Sequence, residues 1–194
     1  MREDWSPEQV SGWMKKRQGI QISHGWVYQH ILADKQAGGD LHTHLPKAYS
    51  ALPEKAPKTL WKERKSRFTL MQPVDQRLAD LVSQAMISLL SPFADWVHTI
   101  TGDNCKEFVN HAQIAEALKA AFCFAHPYSA WERGTNENTN GLIHQYFPKK
   151  TDFSKVTFKE VLAVANKLNQ RPRKCLDFYT PFEVLLEQTV ALTS

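Results

Sequence analysis

Residues 96–125 read WVHTITGDNCKEFVNHAQIAEALKAAFCFA, and the parsing of this stretch decides the fold class. Trp96 to Thr101 is rich in β-branched and aromatic residues and reads as a short strand that delivers Asp103 just past its end. From His111 to Ala121, Ile114, Ala117 and Leu118 recur at the spacing of one helical face. Phe122 to Ala125 reads as a further short strand. Strand, helix and strand in this order predict an α/β fold with at least some parallel pairing, because parallel neighbours need a crossover connection.

The flanking segments extend the pattern. Phe68 to Val74 is a strand candidate, and Gln76 to Leu90 places Leu78, Leu81, Val82, Ala85, Met86 and Leu89 on one helical stripe. Downstream, Thr157 with Glu160 and Thr180-Pro181-Phe182-Glu183 are capping boxes that open two helices. Upstream, Ser6-Pro7-Glu8-Gln9 opens a helix carrying Val10, Trp13 and Met14, with Lys15-Lys16-Arg17 favouring its carboxyl end and Gly19 stopping it. Ser23 caps a second helix with Val27, Tyr28, Ile31 and Leu32, ending before Gly38-Gly39. Residues 1–45 are therefore a helical unit, either a helix-turn-helix reader of DNA or a structural hairpin.

Between the helical unit and residues 60–194 lies a Pro-containing window, 46–59. From Lys47 to Arg67 seven cations (Lys47, Lys55, Lys58, Lys62, Arg64, Lys65 and Arg67) face only Glu54 and Glu63. Pro46, Pro53 and Pro57 oppose continuous helix, so this is a basic linker: a solubilising tether or a strap that contacts phosphates.

Composition bounds the alternatives. The chain has 194 residues, 42% apolar and 23% charged, an ordinary folded composition, and its net charge of +4 says little by itself about a polyanionic partner. No apolar run approaches the ~20 residues needed to cross a bilayer, and MREDWSPEQ lacks the apolar core of a secretion signal, which makes the cytoplasm the expected compartment. Cys105, Cys123 and Cys175 are scattered, which opposes a disulfide framework or zinc knuckle. His24, His30, His42 and His44 raise the thought of zinc, but no cysteine precedes Cys105, and surface or core histidines are the simpler reading.

Asp103 followed by Asn104 at a strand end is by itself commonly turn chemistry. A second polar stretch, WERGTNENTNGLIHQYF (131–147), changes its meaning. A helix starting near Thr135 puts Glu137, Asn140, Gly141 and His144 on one face, with Leu142, Tyr146 and Ile143 turned toward a core. Lys149 and Lys150 follow, and Arg171, Arg173 and Lys174 surround Pro172 further on. These cations either line a nucleic-acid channel or are ordinary solvated charge.

TGDNCKEF (101–108), AHPYSAWERGTNENTNGLIHQYFPKKTDFS (125–154) and NQRPRKCLDFYTPFEVL (169–185) resemble the prokaryotic insertion-sequence-thirty family of transposases. WSPEQVSGWM, ISHGWVYQHI and DKQAGGDL resemble that family's DNA-binding region, and ERKSRFTL its second catalytic strand. The resemblance implies a ribonuclease-H-like, integrase-type catalytic core in residues 60–194 with a DDE carboxylate triad. It implies Mg²⁺ or Mn²⁺ as cofactor and DNA as partner, both terminal inverted repeats and target. It also implies homo-oligomers on DNA, no membrane association and a location at the nucleoid.

Carried over position by position, the family's second aspartate falls on Asp103 and its glutamate on Glu137, 34 positions later, with Glu132 as the competing glutamate. Both Asp103 and Glu137 would be catalytic residues and metal ligands. Arg64, Lys65, Asn140, His144, Lys149, Lys150, Arg171, Arg173 and Lys174 are the corresponding candidates for DNA contact. The string that carries the family's first aspartate has no counterpart: the chain passes from DLHTHLPK through the basic window directly to LWKER. The amino-terminal segment of the family's DNA-binding region is also expected to be absent. Cys105 stands where the family has glycine, and His144 puts an imidazole in place of a permanently charged guanidinium. The expectation is a DDE transposase, internally deleted and impaired in catalysis. The alternatives are a non-catalytic DNA-binding or oligomerising fragment, or a degraded reading frame.

Overall fold

The structure, a computed structural model, describes residues 4–45, 60–62, 66–74, 76, 78–102, 106–125, 138–148 and 150–193. Backbone contacts group the chain into two units, one of residues 1–50, 63–69 and 165–194 and another of residues 51–62 and 70–164.

In the first unit, α1 (Pro7–Gln18) begins at the predicted capping box. The Ser6 N–H donates to Gln9 Oε1 at 2.9 Å, and the Gln9 N–H donates to the Ser6 hydroxyl oxygen at 3.3 Å. Gly19 terminates the helix at φ 68°, a conformation that costs glycine nothing. α2 (His24–Gln36) opens on Ser23, whose hydroxyl oxygen accepts from the Trp26 N–H at 3.1 Å. Val27 and Ile31, one turn apart, are its buried residues.

Gln9 also ties α1 to the distant end of the sequence. Its Nε2 donates to the Pro172 carbonyl at 2.8 Å, and its Oε1 accepts from Arg171 Nε at 3.1 Å. Gly12 meets the Phe178 ring so closely that a β-carbon would lie 2.3 Å from Cδ1 and Cε1. The last helix of this unit, α7 (Pro181–Thr193), starts at the second predicted box: the Thr180 N–H donates to Glu183 Oε2 at 2.8 Å and the Glu183 N–H donates to the Thr180 hydroxyl oxygen at 3.2 Å.

The second unit holds the strand–helix–strand element. β3 (Thr99–Gly102) and β4 (Ala121–Phe124) pair in parallel, with Thr99 opposite Ala121 and Gly102 opposite Phe124, and α4 (His111–Leu118) lies between them in sequence. Val82, Met86 and Leu90 of α3 (Ala79–Leu90) pack with Val97, Ile100, Ile114, Leu118 and Ala120 in one cluster. Leu90, Ile114 and Leu118 are at most 1% exposed, and burial of side chains this size contributes roughly 1.5–3 kcal/mol each. A second pair, β1 (Leu60–Lys62) with β2 (Thr69–Met71), forms its own two-stranded sheet. Leu70 of β2 packs on the same cluster as Ile100 of β3, yet no ladder joins the two sheets among the described residues. α6 (Phe158–Asn169) opens at Thr157, whose N–H donates to Glu160 Oε2 at 2.8 Å while the Glu160 N–H donates to the Thr157 hydroxyl oxygen at 3.3 Å.

The mixed α/β class and the parallel pairing agree with the sequence, while several boundaries move. Trp96 is not in a strand: residues Ser91–Trp96 form a 3₁₀ helix with Pro92 in its first turn, and the Val97 N–H is held by the Phe93 and Ala94 carbonyls. α4 stops at Leu118 because Lys119 adopts φ 51°, which frees Ala121 for β4. The buried stripe of α3 is Val82, Ser83, Ala85, Met86 and Leu90, whereas Leu78 is 54% and Leu81 37% exposed. Ser83 can enter that stripe because its hydroxyl donates back to the Ala79 carbonyl at 2.7 Å.

Candidate functional site

Asp103, Glu137, the competing Glu132, Arg64, Lys65 and Lys149 lie outside the described residues, as does Cys105. What surrounds them in sequence is described. β3 runs to Gly102, the residue before Asp103, and its ladder continues to the end, since the Gly102 carbonyl accepts from the Ala125 N–H at 3.0 Å. Gly102 has no room for a side chain: a β-carbon would lie 2.8 Å from Cζ and 2.9 Å from Cε1 of Phe122. That ring is wedged among Phe108 (5.8 Å between centroids), Phe124 (5.3 Å) and His111 (5.8 Å). His111 Nδ1 lies 3.1 Å from the Phe108 carbonyl, and since a carbonyl only accepts, the proton sits on Nδ1. An aromatic floor thus supports the strand end that leads into Asp103. Sequence reasoning passed over Gly102 and His111; a glycine directly before a strand-end aspartate was the available signal.

On the other flank, residues 138–143 are helical (α5) and follow Glu137 directly. Thr139 and Ile143 are each 1% exposed and Leu142 is 9%, so the predicted inward turn of Leu142 and Ile143 is observed. Gly141, expected on the open face, is buried, whereas Asn140 and His144 are half-buried. The Asn140 carbonyl accepts from the His144 N–H at 3.0 Å. His144 Nδ1 lies 3.2 Å from the Phe147 carbonyl, which fixes the ring orientation and places the proton of the neutral form on Nδ1. Phe147 is 7% exposed and stacks at a tilt on Phe153, 5.7 Å between centroids. Lys150 is exposed in the turn that follows.

Within the first unit, the Arg171–Lys174 group divides by environment. Arg171 is 1% exposed, with Nε on Gln9 Oε1 and a second guanidinium nitrogen donating to the Asp4 carbonyl. It sits inside the unit as a fastener, away from the surface a phosphate would approach. Arg173 is half-buried and donates to the Leu168 carbonyl at 3.1 Å. Lys174 is exposed and pairs with Glu8 Oε1 at 2.7 Å, and the bond from Lys174 holds the Glu8 carboxyl below its usual range. Lys16 and Arg17 lie over the Tyr179 ring, at 4.8 and 5.2 Å, and pair with Asp177 and Glu183 respectively.

Among the described residues no group of three His, Cys, Asp or Glu side chains is placed to hold a metal ion. His30 stacks on Trp26, 5.5 Å and nearly parallel, and His44 lies 3.8 Å from Asp4 and 3.7 Å from Asp40. Cys123 and Cys175 are free thiols on the surface. Among the described residues no helix is long and apolar enough to cross a membrane.

No family model matches the chain. It is 33% identical to the transposase for insertion sequence element IS4351 of Bacteroides fragilis, over all of this chain and 74% of the relative's length. It is 42% identical to transposase InsI for element IS30A of Escherichia coli, over 68% of this chain and 34% of the relative. It is 40% identical to the transposase for element IS1086 of Cupriavidus metallidurans, over 64% of this chain and 37% of the relative. The chain therefore spans about a third of the length of the latter two. The match to the Bacteroides protein extends over 241 residues for a 194-residue chain, so 47 positions of that span have no counterpart here.

Proposed function

In a chain that belongs to the IS30 family of insertion-sequence transposases, we propose a DDE-type transposase that binds element ends and carries out metal-dependent DNA cleavage and strand transfer with impaired efficiency. The observation that carries the reading is the match to the IS4351 transposase across the whole chain. The parallel β3–β4 pair supports it by reaching Gly102, one residue before Asp103, and the helical residues 138–143 support it by following Glu137 in sequence.

Asp103 and Glu137 are hard oxygen donors, the ligand type that Mg²⁺ or Mn²⁺ takes, and by chemistry they fit one divalent ion. A divalent cation held there by Asp103 and Glu137 would supply activation of the attacking hydroxyl and stabilisation of the leaving oxygen in an in-line displacement at phosphorus. The chain's own part is to position those two carboxylates through the described residues next to them in sequence. Gly102, seated on the Phe122 ring, fixes the approach to Asp103, and the buried Thr139, Leu142 and Ile143 anchor the helix that follows Glu137. Asn140 and His144, with Lys150 downstream, offer an amide, an imidazole and an ammonium to the DNA backbone. A third carboxylate, the family's first aspartate, has no counterpart, and this is the reason for the expected impairment.

The 47 unmatched positions favour one alternative, a non-catalytic fragment that binds DNA or associates with other copies. Gel-shift titration with DNA carrying the terminal repeats that flank this chain's own gene, against scrambled DNA, tests the reading. The expected result is preferential binding of the repeats that weakens steeply between low and moderate salt. No preference at any salt concentration would refute it.

A further inference from the structure

We propose that the edge of β3 left open among the described residues is a docking site for an extended segment from a longer transposase of the same family, one without a counterpart in this chain. The proposal rests on the family assignment and goes beyond it. The His98 and Gly102 carbonyls face β4, where they accept from the Ala121 and Ala125 N–H groups, both at 3.0 Å. Backbone polar groups alternate sides along a strand, so the N–H and C=O of Thr99 and Thr101 point to the opposite edge. Among the described residues no strand pairs with that edge.

Two further observations name the occupant. The β1–β2 and β3–β4 sheets share one apolar cluster through Leu70 and Ile100, but no hydrogen-bonded ladder joins them among the described residues. The aligned span of the Bacteroides relative is 47 positions longer than this chain, ample for a strand and its connections. An aligned span 47 positions longer than this chain, together with two sheets that share one core without a joining ladder among the described residues, points to residues of the longer relative without a counterpart here as the partner, docking through main-chain hydrogen bonds. The outward side chains of Thr99 and Thr101 are exposed and Ile100 is buried, so the edge has the alternation that an added strand continues.

The test uses the full chain and a fluorescent synthetic peptide of the longest run of the Bacteroides relative left without a counterpart. The expected result is saturable binding with a Kd of about 10 µM or tighter and a Tm that rises with peptide concentration. Thr101→Pro removes a donor from the open edge and none from the β3–β4 ladder, and should weaken binding at least about tenfold. Thr101→Val keeps the donor and should bind as the parent does. Thr99→Pro reads the same edge if Thr101→Pro does not fold. Absence of binding to the folded parent overturns the proposal, as does equal binding by both proline variants. A concentration-dependent dimer that Thr101→Pro dissolves also overturns it, assigning the edge to a second copy. Gel shifts of terminal-repeat DNA run on the same preparations separate the two readings: a shift without peptide binding refutes the docking edge alone, and peptide binding without a shift counts against the transposase reading alone.

Discussion

Asn169 offers a perturbation whose size follows from the structure. Its side-chain amide acts as a substitute strand: Nδ2 donates to the Thr69 carbonyl and Oδ1 accepts from the Thr69 N–H, both at 2.8 Å. Asn169 is 4% exposed and Thr69 1%, so water cannot readily replace the amide. Asn169→Ala leaves two buried backbone groups without partners, at roughly 1–3 kcal/mol each, for a total loss of about 2–6 kcal/mol. Against the ~5–15 kcal/mol that holds a typical domain folded, this is a large fraction. Urea unfolding followed by tryptophan fluorescence reads the loss, with Trp5 and Trp13 in the same unit as reporters. Asn169→Asp sharpens the test, because it can still accept from the Thr69 N–H but sets a carboxylate oxygen against the Thr69 carbonyl. Protonation restores a donor, so the deficit of Asn169→Asp should shrink as pH falls. An Asn169→Ala variant within about 0.5 kcal/mol of the parent would refute the reasoning.

Gly102→Ala drives a β-carbon into the wedged Phe122 ring and should lower stability by about 1–3 kcal/mol, read as a drop in Tm; an unchanged Tm would show that the ring yields freely. Gly12→Ala meets Phe178 at 2.3 Å and should cost at least as much, with partial recovery in the Gly12→Ala/Phe178→Ala double variant. Burial pushes the Glu183 carboxyl up, but bonds from the Thr180 N–H and hydroxyl and from Arg17 outweigh it and leave the group below its ordinary 4.5. A carboxyl lowered in the folded state stabilises above the unfolded value and loses that contribution as pH falls through the folded one. Acid titration of the parent should therefore show a stability decline beginning near 4.5 that is shallower in Glu183→Gln.

The parts of the fold that were legible in the sequence are those fixed by local chemistry. Ser6 with Gln9, Thr157 with Glu160 and Thr180 with Glu183 each satisfy helix-end donors within four residues, so the strings alone place three helix starts. The β3–α4–β4 unit was legible because its period changes from two to 3.6 and back. Long-range packing was hidden. Arg171 reads as a surface cation beside Arg173 and Lys174, yet Gln9 and the Asp4 carbonyl, more than 160 positions away, hold it inside. The Asn169–Thr69 lock joins residues 100 positions apart and leaves no local periodicity. In α3 the apolar residues cover more than one face, so the pattern could not tell that Leu78 and Leu81 stay exposed while Ser83 is buried. For the site, the sequence set Asp103 after a strand and Glu137 on a helix starting near Thr135; both residues lie outside the described ones, and what is described is β3 up to Gly102 and helix over 138–143. The crowding at Gly102 depends on Phe122 of the neighbouring strand and was invisible from one strand alone.

The most direct measurement is divalent-cation-dependent nicking and joining of DNA that carries the chain's own terminal repeats, by the parent chain and by Asp103→Ala and Glu137→Ala. The account predicts that the parent binds this DNA and, in Mg²⁺ or Mn²⁺, forms at most trace strand-transfer product, close to the level of either variant. Robust turnover by the parent, abolished in Asp103→Ala, would contradict it by showing that another group in this chain completes the carboxylate set.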